Sequence, residues 1–374
     1  MSTFLVWKKM SKNICLIVGS FNIGGLQRVV LSLAQVFSEL GNKVVVIALS
    51  NDKKSSFPLD ECKFSMYAIK KRRNPIRGIQ DMENAKSLQN QIAEIGVDFD
   101  LVISNAFETN RICRKSNIPN MCYCFHGTVS AIVNEKTGFS RFRRKIQYLL
   151  LIKKLYKNQK LISVSDGVKQ DLIKFGAHPE DIQTIYNPFD INDIKRQSKA
   201  YAIQEKDYII HLGHFNSDKQ HDILIKAYKK SGIKQKLLLL GDDSKGTGGQ
   251  IKQLVIDLNL QNHVIFKGLI SNPFPYVKNA KALILSSKNE GLPTVLIEAL
   301  ILNTPIVSTN CLSGPSEILI NELKPFLSPV GDIEALAKNI KKMVNSPIEI
   351  TNKYFDKFSA EKSARQYLSL TFNN

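Results

Sequence analysis

Short apolar runs alternate with longer stretches of helical period from residue 13 onward, the pattern of parallel strands covered by helices. Asn13-Ile-Cys-Leu-Ile-Val-Gly19 reads as a buried strand, and an amphipathic helix is predicted from Leu26 to Leu40. Gly41-Asn42 stops that helix before a second strand, Lys43-Val-Val-Val-Ile-Ala-Leu49, so the chain opens on a βαβ unit. Later strands are predicted at Leu101-Val-Ile103, Met121-Cys-Tyr-Cys-Phe125 and Leu161-Ile-Ser-Val-Ser165. The pattern breaks around Tyr186-Asn-Pro-Phe189, where Asn187-Pro188 reads as a crossover turn, and a polar stretch runs from Asp190 to Lys206.

Tyr208-Ile-Ile-His-Leu212 then starts the same logic again, with Lys236-Leu-Leu-Leu-Leu240, Val264-Ile-Phe266, Ala282-Leu-Ile-Leu285 and Pro305-Ile-Val-Ser308 alternating with helices. The fold class expected is α/β: two Rossmann-like, doubly wound domains facing each other across a cleft at the C-terminal ends of their strands. The boundaries expected are residues 1–189 and 190–355. The last segment, 356–374, holds a helix near Ala360 to Leu370 that has no following strand beside it and is expected to return to the first domain.

Composition adds limits. A chain of 374 residues with 43% hydrophobic and 23% charged content has the make-up of a soluble protein large enough for two cores. No apolar run has the length of a membrane-spanning helix, and Met1 to Met10, interrupted by Lys8 and Lys9, is too short for a secretion signal; the expected location is the cytoplasm. The six cysteines (Cys15, Cys62, Cys113, Cys122, Cys124, Cys311) lack paired metal-ligand spacing and are expected as thiols, with no metal requirement.

Charge changes the picture more. The net charge of +19 calls for an acidic partner. Residues 136 to 160 hold nine Lys or Arg and no acid, interleaved with apolar residues that include Phe139, Phe142, Ile146 and Leu150. Such a stretch fits binding to an anionic membrane surface, and it equally fits a core helix whose outer face is basic. Lys70-Lys-Arg-Arg73 with Arg77 forms a second cluster, but no zinc-finger spacing or RNA-binding signature accompanies the charge, so no nucleic-acid partner is expected.

The candidate chemistry centres on Glu290-Gly-Leu-Pro-Thr-Val-Leu-Ile-Glu298. A strand precedes it, Gly291 supplies a turn, and Pro293 suits the first position of a helix continuing to Leu302. The unpaired N–H groups and positive dipole end of such a helix favour a phosphate. Glu298 shares the helical face of Thr294 and Val295 about one turn, roughly 5 Å, further on, an offset suited to ribose hydroxyls. Glu290 would face the group beyond the phosphate. The plainer reading is a solvated loop acid and a surface helix residue.

Other candidates fall at predicted strand ends. Gly24-Gly25 follows the first strand as a loop that could approach a ligand, or as a simple turn; it lacks the spacing of a dinucleotide fingerprint. His126 follows the strand ending at Phe125, and Lys219 lies in the loop after His211-Leu-Gly-His-Phe-Asn-Ser-Asp, where it can offset charge growing on a leaving phosphate. Gly314-Pro315-Ser316-Glu317 opens another helix, and Glu317 is read as its cap rather than a ligand.

Glu290 to Glu298, with Asn272-Pro-Phe-Pro-Tyr276 before it and Asn303-Thr-Pro-Ile-Val-Ser308 and Ser313-Gly-Pro-Ser-Glu-Ile318 after it, resembles the donor-site block of the family 4 retaining glycosyltransferases. Gly24-Gly25, His126-Gly127, Asn187-Pro188 and the loop from Gly213 to Lys219 fall in the order of that family. The resemblance implies a GT-B fold and a nucleotide-diphosphate sugar, UDP-linked rather than GDP-linked, bound mainly to the second domain. It further implies that Glu298 holds the ribose, the loop of Gly291, Leu292, Pro293, Thr294 and Val295 binds the diphosphate through the free amides between Leu292 and Val295, Glu290 contacts the transferred sugar, His126 approaches it from the first domain, and Lys219 neutralises the leaving phosphate. The family usually has Arg where this chain has His214, which cannot make a bidentate phosphate contact.

These readings lead to a retaining transferase that moves a hexose or N-acetylhexosamine to a glycan acceptor, lipid-linked and destined for a surface polysaccharide, at the inner face of a membrane. A GT-B nucleotide-sugar epimerase and a non-catalytic basic binding protein on the same fold stay open as alternatives.

Overall fold

The protein is described by a computed structural model that covers residues 11–21, 25–50, 63–70, 74–244 and 246–371. The first unit comprises β1 (Asn13–Val18), α1 (Gly25–Glu39), β2 (Lys43–Ala48), β3 (Ser65–Ala68), α2 (Arg77–Ile95), β4 (Leu101–Asn105), α3 (Phe107–Cys113), β5 (Met121–Phe125), α4 (Val129–Asn134), α5 (Gly138–Tyr156), β6 (Lys160–Ser163), α6 (Asp166–Lys174) and β7 (Asp181–Thr184). Its strands form one sheet in the order β3-β2-β1-β4-β5-β6-β7. The second comprises α7 (Ile191–Gln197), β8 (Tyr208–Leu212), α8 (His221–Ser231), β9 (Lys236–Leu240), α9 (Gly248–Asp257), β10 (Val264–Gly268), α10 (Phe274–Asn279), β11 (Leu283–Leu285), α11 (Thr294–Ile301), β12 (Ile306–Thr309), α12 (Pro315–Ile318), β13 (Leu327–Ser328) and α13 (Ile333–Asn345). Its sheet order is β10-β9-β8-β11-β12-β13, and α14 (Ala360–Leu368) ends the chain's regular structure.

All strand pairings are parallel, for example Cys15 beside Val45 and Val102. Parallel strands need crossover helices on both faces, which is why the central strands are mostly apolar and almost entirely buried. α1 closes its inner stripe with Val30, Leu31, Leu33, Ala34 and Phe37, and Gly41, at φ +84, makes the left-handed stop that side-chained residues resist.

Strand order reverses direction between β1 and β4 in the first sheet and between β8 and β11 in the second. Such points leave a crevice at the strand C-termini, because the helices on either side diverge to opposite faces. α14 lies against α1: the Tyr367 ring meets Phe37 edge-on at 6.2 Å, and its hydroxyl lies 3.7 Å from Cys124 Sγ. A short parallel bridge fixes its start, with Phe189 N donating to Phe358 O at 3.0 Å and Ala360 N to Phe189 O at 2.9 Å.

The basic stretch resolves into α5, and the core-helix reading holds for its C-terminal half only, where Tyr148, Leu149 and Leu155 pack against the core. Only Ile152 and Tyr156 of this helix are buried. Phe139, Phe142, Ile146 and Leu150 are 74%, 59%, 42% and 65% exposed. Their spacing of three or four residues puts them on one side of the helix, which turns away from the domain. The N-terminal half of α5 thus projects with an apolar stripe to solvent, while Arg141, Arg143 and Lys145 stand exposed around it. Of the second basic cluster, Lys71 to Arg73 lie outside the described residues.

Candidate active site

Lys219 and Glu290 meet although 71 residues separate them: Nζ donates to Oε1 at 2.6 Å. The loops that carry them leave β8 and β11, neighbours that pair at Ile210 and Leu283, so both emerge at the reversal point of the second sheet. Side-chain bonds lace these loops together. Ser286 Oγ donates to Lys219 O at 2.7 Å, and Asn289 Nδ2 donates to Asp218 Oδ1 at 2.8 Å. The ion pair therefore sits on a fixed base and stays largely shielded from water, where charge-assisted bonds are stronger.

Beneath Lys219 lie two buried histidines. His211 Nδ1 is 2.9 Å from Ile284 O, and the His221 ring stacks on Phe215 at 4.1 Å. Burial depresses both, His221 to about 4 and His211 well below its ordinary value, and the Lys219 charge adds to the depression. Both are neutral at physiological pH, so neither competes with Lys219 for an anion.

His126 faces this pair from the end of β5 in the first sheet. Its Nε2 lies 3.0 Å from Asn105 Oδ1. The Asn105 amide is oriented by its own Nδ2, which donates to Ile17 O at 3.3 Å and to Ile103 O at 3.2 Å. The Asn105 oxygen therefore accepts from Nε2–H, and Nδ1 of His126 is left as an acceptor. Burial lowers the His126 pKa to about 4, so the ring is neutral and cannot serve as a cation at pH 7. Its Nδ1 can accept a hydrogen bond from a hydroxyl donor.

A cavity of about 330 Å³ joins the two sides, lined by His126, Gly127 and Thr128 from the first domain and by Asp218, Asn289, Glu290 and Gly291 from the second. Phe107, Phe125, Val129, Ala131 and Ile132 make its first-domain wall apolar. Gly291 must be glycine: a Cβ there would lie 2.0 Å from the His126 carbonyl oxygen.

The predicted helix mouth is present, one residue later than expected. Pro293, at φ −70 and ψ 98, caps α11 instead of starting it, because its extended ψ aims the chain from the Gly291 turn into the helix. Leu292 and Pro293 are buried; Thr294, Val295 and Glu298 are half-buried. The Glu298 carboxylate has no hydrogen-bond partner among the described residues, and burial raises its pKa to about 7, with Arg28 of α1 opposing the rise. A carboxylate held half-dry without a hydrogen-bond donor is placed to accept from a ligand.

Gly25 is exposed at the start of α1, and Gly24 lies outside the described residues. His214 is exposed. Neither Gly25, His214, Lys219, Glu298 nor the residues from Leu292 to Val295 line the cavity, which takes in His126, Glu290 and Gly291 of the candidates. Glu317 does not cap its own helix: its carboxylate accepts from the amides of Asp166 and Gly167 at the start of α6 in the first domain. Asn105, Asp218 and Asn289 escaped sequence reasoning, since single polar residues at strand ends carry no periodic signal.

A family model for glycosyl transferases group 1 matches residues 193–362, and one for glycosyltransferase family 4 matches residues 23–193. Between them the two models take in both domains, and the chain belongs to the family 4 glycosyltransferases with the GT-B fold. Among relatives, it is 27% identical over 368 residues to the N-acetylgalactosamine-N,N'-diacetylbacillosaminyl-diphospho-undecaprenol 4-alpha-N-acetylgalactosaminyltransferase of Campylobacter jejuni, covering 93% of this chain and 97% of that one. It is 28% identical over 197 residues to the lipopolysaccharide 1,6-galactosyltransferase of Escherichia coli, 50% of this chain and 53% of the relative. Among solved structures, HepE of Anabaena in complex with UDP and glucose has the same fold, with a TM-score of 0.72 at 18% identity over 96% of this chain and 97% of that one.

Proposed function

We propose that this protein transfers a hexose or N-acetylhexosamine, with retention at the anomeric carbon, from a UDP-sugar to a lipid-linked glycan at an anionic membrane surface. The observation that carries this reading is Glu290, held by Lys219, lining a cavity of about 330 Å³ together with His126. In it, the diphosphate lies at the N-terminus of α11, Glu298 accepts from the ribose hydroxyls, and Lys219 stabilises the charge that develops as the sugar–phosphate bond breaks. Glu290, held by Lys219, accepts from hydroxyls of the transferred sugar, and His126 Nδ1 accepts from another. The acceptor hydroxyl attacks from the face the phosphate leaves, and the phosphate oxygen takes its proton. The protein supplies position and charge stabilisation rather than an acid or base.

A nucleotide-sugar epimerase needs no acceptor, whereas the apolar wall of Phe107, Phe125, Val129 and Ile132 offers a second substrate a surface. The lipid-linked acceptor is favoured by the exposed stripe of α5, whose apolar residues and cations suit anionic lipid headgroups, and by the diphospho-undecaprenol acceptor in the Campylobacter relative's name. The test is incubation with UDP- and GDP-linked hexoses and N-acetylhexosamines, with and without lipid-linked oligosaccharide, followed by product analysis. A new α-linked sugar formed from a UDP donor is expected. An altered free nucleotide sugar without an acceptor would establish the epimerase instead, and an inverted linkage would sink the retaining mechanism.

A further inference from the structure

Glu317 joins the two domains. Its Oε2 accepts from Asp166 N at 2.8 Å and its Oε1 from Gly167 N at 3.1 Å, the first amides of α6, while Tyr186 Oη donates to Oε2 at 3.2 Å. Those amides belong to the first domain and the carboxylate to the second. A negative group at a helix N-terminus satisfies N–H groups that have no partner within the helix and meets the positive end of its dipole. Here the stabilising group is on the opposite side of the cleft, so α6 receives this cap only when the domains are together.

The contact continues to the reaction centre. Ser165, the residue before α6, places Oγ 2.6 Å from Ser313 Oγ, and both hydroxyls lie within donating distance of the Gly291 carbonyl, at 2.9 and 2.6 Å. Gly291 in turn packs directly on the His126 carbonyl. A Cβ on Gly167 would lie 2.6 Å from Ser313 Cα. The approach is therefore backbone to backbone at two glycines, one contributed by each domain, with no side chain to soften a misfit.

We propose that Glu317 is a positioning residue that holds the cleft closed and, through Ser313 and Gly291, sets His126 against Glu290. This inference rests on the glycosyl-transfer reading for its kinetic consequence, but the closure it describes is measurable without substrate. Loss of the carboxylate leaves the donor-binding residues of the second domain intact and removes the force that brings the first domain's His126 to them.

The experiment combines solution scattering and an interdomain fluorophore distance, both on the full chain without ligand, with steady-state kinetics of Glu317→Gln and Gly167→Ala. Gly167→Ala presses the same contact apart while keeping the Glu317 carboxylate and the residue 167 amide, and alanine suits the first turn of a helix. Both variants, checked for an unchanged far-ultraviolet spectrum, are expected to show a longer interdomain distance. They are also expected to lower kcat about tenfold or more while donor KM changes less than about threefold, as for an interaction realised at the reacting geometry. An unchanged distance and unchanged kcat in either variant would overturn the proposal, as would a pure rise in donor KM in both. A longer distance in a protein that transfers no sugar from any donor would leave the clasp standing and remove the transferase reading instead.

Discussion

α5 and α11 both belong to crossovers between parallel strands, β5 to β6 and β11 to β12, and they treat apolar surface in opposite ways. α11 buries Leu296, Ile297, Ala299, Leu300 and Ile301 on nearly every side and carries Glu298 as its single charge. α5 buries two residues and turns Phe139, Phe142, Ile146 and Leu150 to solvent. The difference shows where each helix does its work. In α11 the packed shell fixes one carboxylate beside a helix mouth, so the polar exception is informative; in α5 the apolar residues are the exception, because the domain core is complete without them.

The sharpest way to break this contrast is at the buried end. Lys219→Ala is expected to lower kcat about 10²- to 10³-fold, the loss typical of one preorganised charge at a breaking bond, measured as transfer from saturating donor. A loss under threefold would remove Lys219 from the site. Glu298→Gln is expected to raise donor KM about tenfold to a hundredfold with little change in kcat, since a ribose contact is made equally in ground and transition states. If kcat falls instead, Glu298 takes part in the chemistry.

The exposed end is tested by Phe139→Ser with Phe142→Ser. Flotation on anionic vesicles at low salt is expected to weaken about tenfold, and transfer to a water-soluble acceptor to change less than twofold. Equal flotation of the native protein with neutral and anionic vesicles would remove the role given to the cations. The smallest effect concerns pH. Because burial raises the Glu298 pKa to about 7, the folded state holds a proton there that the unfolded state releases near the ordinary carboxylate value. This group's contribution to stability is full below that ordinary value and is lost as pH rises through about 7. The melting temperature of Glu298→Gln should therefore fall less than that of the native protein between pH 5 and 8. Donor affinity runs the other way and should weaken as pH falls below 7, where Glu298 becomes protonated and accepts hydrogen bonds less well.

The sequence pattern located β5, β8 and β9 to the residue, because a strand buried on both faces reads as an unbroken apolar run. It missed β3 and β7, which end their sheet and whose half-exposed residues lose that signature, and β13, an edge strand of only two residues. The same division holds in the site. Glu290, Gly291 and Glu298 stood out because strand, turn and helix signals converge on them, and His126 because it follows a strong strand, whereas Lys219, seven residues past β8, stood out only through the family resemblance. That Lys219 and Glu290 form one ion pair was not legible, since it depends on β8 and β11 being neighbours. Nor was the partner of Glu317: a carboxylate near its own helix start suggests a local cap, and only the closed cleft offers the amides of α6.

By itself, then, the sequence determined the two α/β domains and the helix mouth at Glu290 to Glu298, since these follow from local periodicity, turn chemistry and capping. Tertiary structure alone decided which charges pair, that His126 stays neutral with Nε2–H held by Asn105, and that α5 presents its apolar stripe to solvent. Those outcomes depend on strand order and on what packs against each side chain, and a strand's neighbours and a helix's outward face are not written in its own residues.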